Sequence, residues 1–226
     1  MQPYIFPYLG YFQLINAVDK FVILDDVNYI MRGWINRNRI LVNGTDFLFS
    51  IPVSKASQNK LICDCELAKG KEREKLLATI EHSYKKAPYF KDSFEVVLSV
   101  LTTNEVNLSL WLTWQLKAIC KYLEIDTEIV DSSRLYNNGH LKGQDKIIDI
   151  CRKENATTYF NSIGGTELYN SSDFKTNNIE LHFLKSVPEE YPQFNLEFIP
   201  FLSIIDVMMF NDKNAIQNLL SKYELL

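Results

Sequence analysis

Asp25 and Asp26 stand side by side where an apolar run, Phe21-Val22-Ile23-Leu24, stops. Paired carboxylates at a strand end suit two jobs: holding a divalent cation, or orienting and deprotonating a hydroxyl or amine. Open α/β sheets place their ligands at such strand ends. Successive strand residues point to opposite faces, so only one acid faces a site unless the chain turns there. The fourteen residues 26–39 then hold Arg32, Arg37 and Arg39, Asn28, Asn36 and Asn38, Tyr29 and Trp34. Guanidinium forks match phosphate and carboxylate groups. Asn36 and Asn38 offer planar groups for a sugar or a base edge, or simply close turns. The competing reading is internal, with the acids capping the strand end and pairing with Arg32 or Arg37. We read the segment as one wall of a polar site, with Asp25, Asp26 and Arg32 as candidate catalytic groups. Arg37, Asn36, Asn38 and Tyr29 are candidate substrate contacts.

Three further segments carry site-forming residues. Lys142-Gly143-Gln144-Asp145-Lys146 opens a helix, whose free N–H groups favour an anion, so Lys142 and Gln144 suit a phosphate or carboxylate. Asn161-Ser162-Ile163-Gly164-Gly165 follows a strand, and Gly164 and Gly165 would let backbone approach a ligand. Gln2-Pro3-Tyr4-Ile5-Phe6-Pro7-Tyr8-Leu9-Gly10-Tyr11-Phe12 holds two prolines and five aromatics, which makes a stiff loop rather than a helix. From it Gln2, Tyr4 and Tyr8 would line the pocket. The glycine-rich phosphate motifs proper are absent, as is any G-x-S-x-G elbow. Positioning and charge stabilisation therefore fit better than a covalent enzyme intermediate. His82, His140 and His182 are scattered, and Cys63 and Cys65 lack zinc spacing. We expect no metal site and reduced, structural thiols.

The elements that would position these groups alternate. Residues 11–18 read as a short helix and Phe21–Leu24 as a strand. A βαβ unit needs one more strand ahead of the stiff loop; either that strand lies ahead of Met1 or the loop starts at a sheet edge. Arg39–Val42 and Asp46–Val53 flank Asn43-Gly44, the strongest short-range hairpin signal. Helices are expected over 70–86, 89–101 and 108–123, with Trp111, Trp114, Ile119 and Leu123 in the core. Strands over 127–130, 157–160 and 179–184 alternate with a helix over 141–153, and helices over 204–210 and 215–223 close the chain. That order implies buried parallel strands. The expected fold is α/β, a mainly parallel Rossmann-like sheet with a small β-hairpin, as one domain over 1–226 with a helical insertion or cap at about 70–123.

The 226 residues, 46% apolar and 23% charged, are enough for a sizeable core. A net charge of −4 argues against a nucleic-acid or anionic-membrane partner. No apolar run is long enough to cross a bilayer and no signal peptide is evident, so the cytoplasm is the expected location.

Gln2 to Phe12, Leu24-Asp25-Asp26-Val27-Asn28-Tyr29 and Arg32-Gly33-Trp34-Ile35-Asn36-Arg37-Asn38-Arg39 resemble the WbqC-like family. The resemblance continues through Lys142-Gly143-Gln144-Asp145, Ile163-Gly164-Gly165, Tyr191-Pro192-Gln193-Phe194 and Leu202-Ser203-Ile204-Ile205-Asp206. It implies a place in bacterial O-antigen and surface-polysaccharide biosynthesis. The implied activity is transfer of a glycyl or other acyl group to a nucleotide-linked sugar, so the expected partners are a sugar nucleotide and an acyl or aminoacyl donor. Pro7-Tyr8-Leu9-Gly10-Tyr11 is also similar to the loop of HIGH-type nucleotidyltransferases, with tyrosines in place of both histidines. That leaves a nucleotidyltransferase-like enzyme, or a non-catalytic sugar-nucleotide-binding module, as alternatives. The cofactor stays open, a nucleotide or magnesium included.

Overall fold

The computed structural model describes residues 1–194 and 197–226. The first helix, α1 (Leu9–Asn16), starts two residues after Pro7 and buries every residue from Gly10 to Ile15. Such an all-round apolar helix belongs in a core. It leads into β1 (Lys20–Val22). The hairpin of β2 (Arg37–Val42) and β3 (Thr45–Ser50) turns at Asn43 and Gly44, whose φ values of 51° and 81° are those a two-residue primed turn requires. Short β4 (Val53–Ser54) pairs antiparallel with β5 (Glu66–Leu67).

The helical stretch consists of α2 (Glu72–Tyr84), α3 (Phe90–Leu101) and α4 (Leu108–Tyr122), which pack into the same core as α1. Trp111 is fully buried there, but Trp114, expected in the core, turns outward at 42% exposure. After it come β6 (Glu128–Val130), α5 (Gly143–Lys153) and β7 (Thr158–Ser162). Then follow α6 (Ser171–Thr176), β8 (Glu180–Ser186), α7 (Ile204–Phe210) and α8 (Lys213–Leu220). The chain closes with β9 (Tyr223–Leu225), antiparallel to β8, where the sequence pattern predicts helix through Tyr223.

The class is mixed α/β. Two parallel pairs form as expected, β1 with β6 and β7 with β8. They belong to separate small sheets, so the strands do not make the one continuous parallel sheet the pattern predicts. A smaller cluster of Ile147, Ile148, Cys151, Phe174 and Ile179 packs beneath β7 and β8, apart from the main core. Among the described residues no helix is long and apolar enough to cross a membrane.

Candidate functional site

The parallel register Val22↔Val130 sets Asp25 and Asp26, just past β1, against Ser132 and Ser133, just past β6. Asp25 is buried at 2% exposure. Its Oδ1 accepts from Ser132 Oγ at 2.7 Å and from Ser133 N at 3.1 Å, and its Oδ2 accepts from Ser109 Oγ of α4 at 2.6 Å. Asp26 forms a buried ion pair with Lys146 of α5, 2.6 Å from Nζ to Oδ2, and its Oδ1 accepts from Ser133 Oγ. Asn138 donates to Asp149 at 2.7 Å and to the Lys146 carbonyl, while its own Oδ1 has no partner among the described residues. Two charges taken out of water hold together only with hydrogen bonds of this kind around them. The acidic pair thus fastens the ends of two parallel strands to α4 and α5. The arginines take no part in it. Sequence reasoning gave Lys146 and the two serines no role, although Ser132-Ser133 ends its strand just as Asp25-Asp26 ends β1.

The arginine segment lies on another face. Arg37 and Arg39 flank the Trp34 ring at 5.6 and 6.0 Å, and Trp34 is half exposed. Arg37 donates to the Arg32 carbonyl, and Arg32 is exposed with a φ of 59°. Arg39 pairs with Asp46 at 3.0 Å. Tyr29 is buried and donates to Asn36 at 2.8 Å, and Asn36 donates to the Ile51 carbonyl at 2.8 Å, so both brace the loop.

The stiff N-terminal loop is built onto that face. Phe6 has a φ of 41°, which a bulky residue holds only when its surroundings fix it. Buried Asn38 does so, donating to the Ile5 and Phe6 carbonyls at 3.0 and 2.6 Å. Gln115 accepts from Phe6 N, and Ser203 donates to the Phe6 carbonyl. Gly10 gives the Tyr8 ring its place, because a Cβ there would lie 2.4 Å from the ring. The result is a cleft of about 250 Å³ lined by Tyr4, Tyr8, Trp34, Asn38, Arg39 and Phe201. Burial pushes the Tyr4 and Tyr8 hydroxyls up, so both are neutral donors at pH 7. The Arg39 Nε–H is buried and unpartnered among the described residues. Phe201, edge-on to Tyr8 at 6.1 Å, carried no signal in the sequence, since its φ of 57° sits in an irregular stretch.

The remaining predicted residues lie elsewhere. Gln2 offers its carbonyl to the Tyr11 hydroxyl. Lys142 is exposed, and Gly143 takes a φ of 53° as α5 begins. Gln144 donates to Asp173 and accepts from Asn170 N, clasping the start of α6. Gly164 is exposed and Gly165 is buried, in a turn of 3₁₀ helix after β7. The structure therefore brings Tyr4, Tyr8 and Asn38 together with Trp34 and Arg39. It does not bring the carboxylates into that cleft. Among the described residues no group of three or more His, Cys, Asp or Glu side chains is placed to hold a metal ion.

Comparison with known proteins gives one family. The model of the WbqC-like protein family matches residues 2–218. An uncharacterized protein of Mycobacterium tuberculosis, Rv1507c, is 28% identical over 211 residues, covering 89% of this chain and 88% of its own length. No solved structure matches.

Proposed function

The chain belongs to the WbqC-like protein family, and from that premise we propose a transferase of bacterial surface-polysaccharide (O-antigen) assembly. It moves a glycyl or other acyl group to an amine or hydroxyl of a nucleotide-linked sugar, in the cytoplasm. The cleft of Tyr4, Tyr8, Trp34, Arg39 and Phe201 carries this reading. Ligand pockets for whole drug-sized molecules span about 300–1,000 Å³, so this one suits a single ring of a sugar nucleotide. Aromatic faces take the flat side of a base or the apolar face of a sugar. The Arg39 guanidinium on the cleft wall suits phosphate. In the reaction the acceptor nitrogen or oxygen bonds to the acyl carbon, and the donor's leaving group departs with the acceptor proton.

The occupied state of both carboxylates favours a second reading, a sugar-nucleotide-binding module without turnover. Thermal-shift screening against UDP- and dTDP-linked sugars, and against ATP with magnesium, is the first test. We expect stabilisation by sugar nucleotides that disappears in Trp34→Ala. Stabilisation by ATP–magnesium alone would instead support nucleotidyl transfer. Acyl transfer onto a stabilising sugar nucleotide, followed by mass spectrometry, then separates enzyme from binder. The transferase reading expects transfer that Trp34→Ala abolishes at unchanged folding.

A further inference from the structure

The turn at residues 30–34 is closed by Gly33 N, which donates to the Ile30 carbonyl at 3.1 Å. Ile30, Met31, Arg32 and Trp34 are all exposed, the three apolar side chains to about half of their surface. Four exposed side chains out of five make a protruding tip rather than a groove. Leu48 of β3, also half exposed, stands across the hairpin from Arg39, whose guanidinium lies 6.0 Å from the Trp34 ring. Large apolar groups gathered on one exposed face mark an interaction surface. The charge around this one is one-sided. Residues 27–60 carry Arg32, Arg37, Arg39, Lys55 and Lys60 and a single carboxylate, Asp46. Five cations and one acid give +4 in a chain whose total is −4, so the remainder holds −8. The total, which by itself argues against a membrane partner, hides that segregation. Lys60 lies beside the entry to the turn, since its carbonyl accepts from Tyr29 N at 2.8 Å. Arg37 donates to the Arg32 carbonyl and flanks the Trp34 ring at 5.6 Å, so cations and apolar groups are interleaved.

We propose that this tip docks the protein on an anionic phospholipid surface. Ile30 and Met31 enter the boundary between headgroups and acyl chains, the Trp34 indole lies at headgroup level, and Arg32, Arg37 and Lys60 face the phosphates. Aliphatic side chains flanked by an indole and by cations are the composition of interfacial anchors. Attraction to an anionic surface falls off within a Debye length, roughly 8 Å at physiological salt, so the charge at the tip counts and the total does not. A second copy fits poorly, because a twofold contact would set the arginines of one tip against those of the other. A peptide helix needs a groove to seat it, and a protruding turn is not one. The proposal stands apart from what the cleft binds. Trp34 and Arg39 border both places, so docking sets the cleft mouth against the headgroups.

Co-sedimentation with vesicles tests it, using phosphatidylcholine alone and phosphatidylcholine mixed in equal parts with phosphatidylglycerol. The proposal expects binding to the anionic vesicles, and binding to the neutral ones weaker by about tenfold or more. Ile30→Ser combined with Met31→Ser should weaken anionic-vesicle binding by about tenfold, and Arg32→Glu by about fivefold. All three side chains are exposed, so Tm should not change. Raising the salt concentration should release the bound protein. Equal binding to both vesicle types, no binding to either, or binding that the double substitution leaves intact overturns the proposal. Absence of vesicle binding together with capture of an acidic amphipathic peptide would overturn it in favour of a protein partner.

Discussion

At the scale of single residues, the two candidate chemistries separate into a buried network and an open cleft. Lys146 and Asp26 are each 5% exposed or less, so truncating one leaves the other as an uncompensated buried charge. Lys146→Met should therefore cost about 3–5 kcal/mol in urea denaturation. A loss under about 1 kcal/mol would mean that the pair is hydrated. Gly10→Ala acts differently. Alanine is a better helix residue than glycine, but its Cβ displaces the Tyr8 ring. We expect stability within about 1 kcal/mol of wild type, and sugar-nucleotide binding weakened several-fold in a thermal-shift titration. The residue types of both places were visible in the sequence. Their separation was not, because nothing in Leu24–Ile40 says that the acids turn toward α5 and the guanidiniums toward Trp34.

At the scale of elements, local pattern was legible wherever period and turn chemistry agreed. Asn43-Gly44 specified its hairpin, and the helical period placed α2, α3 and α4 within a residue or two. Three short strands escaped: β4, β5 and β9 span two or three residues, too few for an alternation to show. The tie of 191–193 to α2 and α7 escaped as well, because it rests on one buried carboxylate. Asp206 accepts from Tyr84 and Tyr191 at 2.8 Å and from Gln193 at 2.7 Å. Desolvation outweighs those bonds and lifts the carboxyl from 3.8 to about 6. The native state therefore keeps a proton that the unfolded chain releases near pH 4. That contribution is present below about pH 4 and lost as pH rises through about 6. Urea titrations should show wild type losing about 2–3 kcal/mol relative to Asp206→Asn between pH 4 and pH 7. A difference that is flat in pH, or of opposite sign, would contradict the raised carboxyl.

At the scale of the whole molecule, the α/β class followed from the order of elements, while the sheet did not. The two parallel pairs stay in separate sheets, and no pattern inside either strand encodes that. The thiols report on the integrity of the assembly. All four cysteines are buried, and burial foremost pushes Cys63 and Cys151 up to about 11 and Cys120 up to about 12. At pH 8 roughly one in a thousand of the Cys63 and Cys151 thiols and about one in ten thousand of the Cys120 thiols are ionised, so labelling by a thiol reagent should follow unfolding. Rapid native labelling of any one would reveal a local opening. The central claim is that the Trp34 cleft recognises a sugar nucleotide. Calorimetric titration of UDP- and dTDP-sugars into wild type, Trp34→Ala and Arg39→Ala tests it most directly. We predict saturable one-to-one binding for wild type, weakened at least tenfold in both variants, a loss of about 1.4 kcal/mol or more. Binding that both variants retain in full, or no binding of any sugar nucleotide, would contradict it.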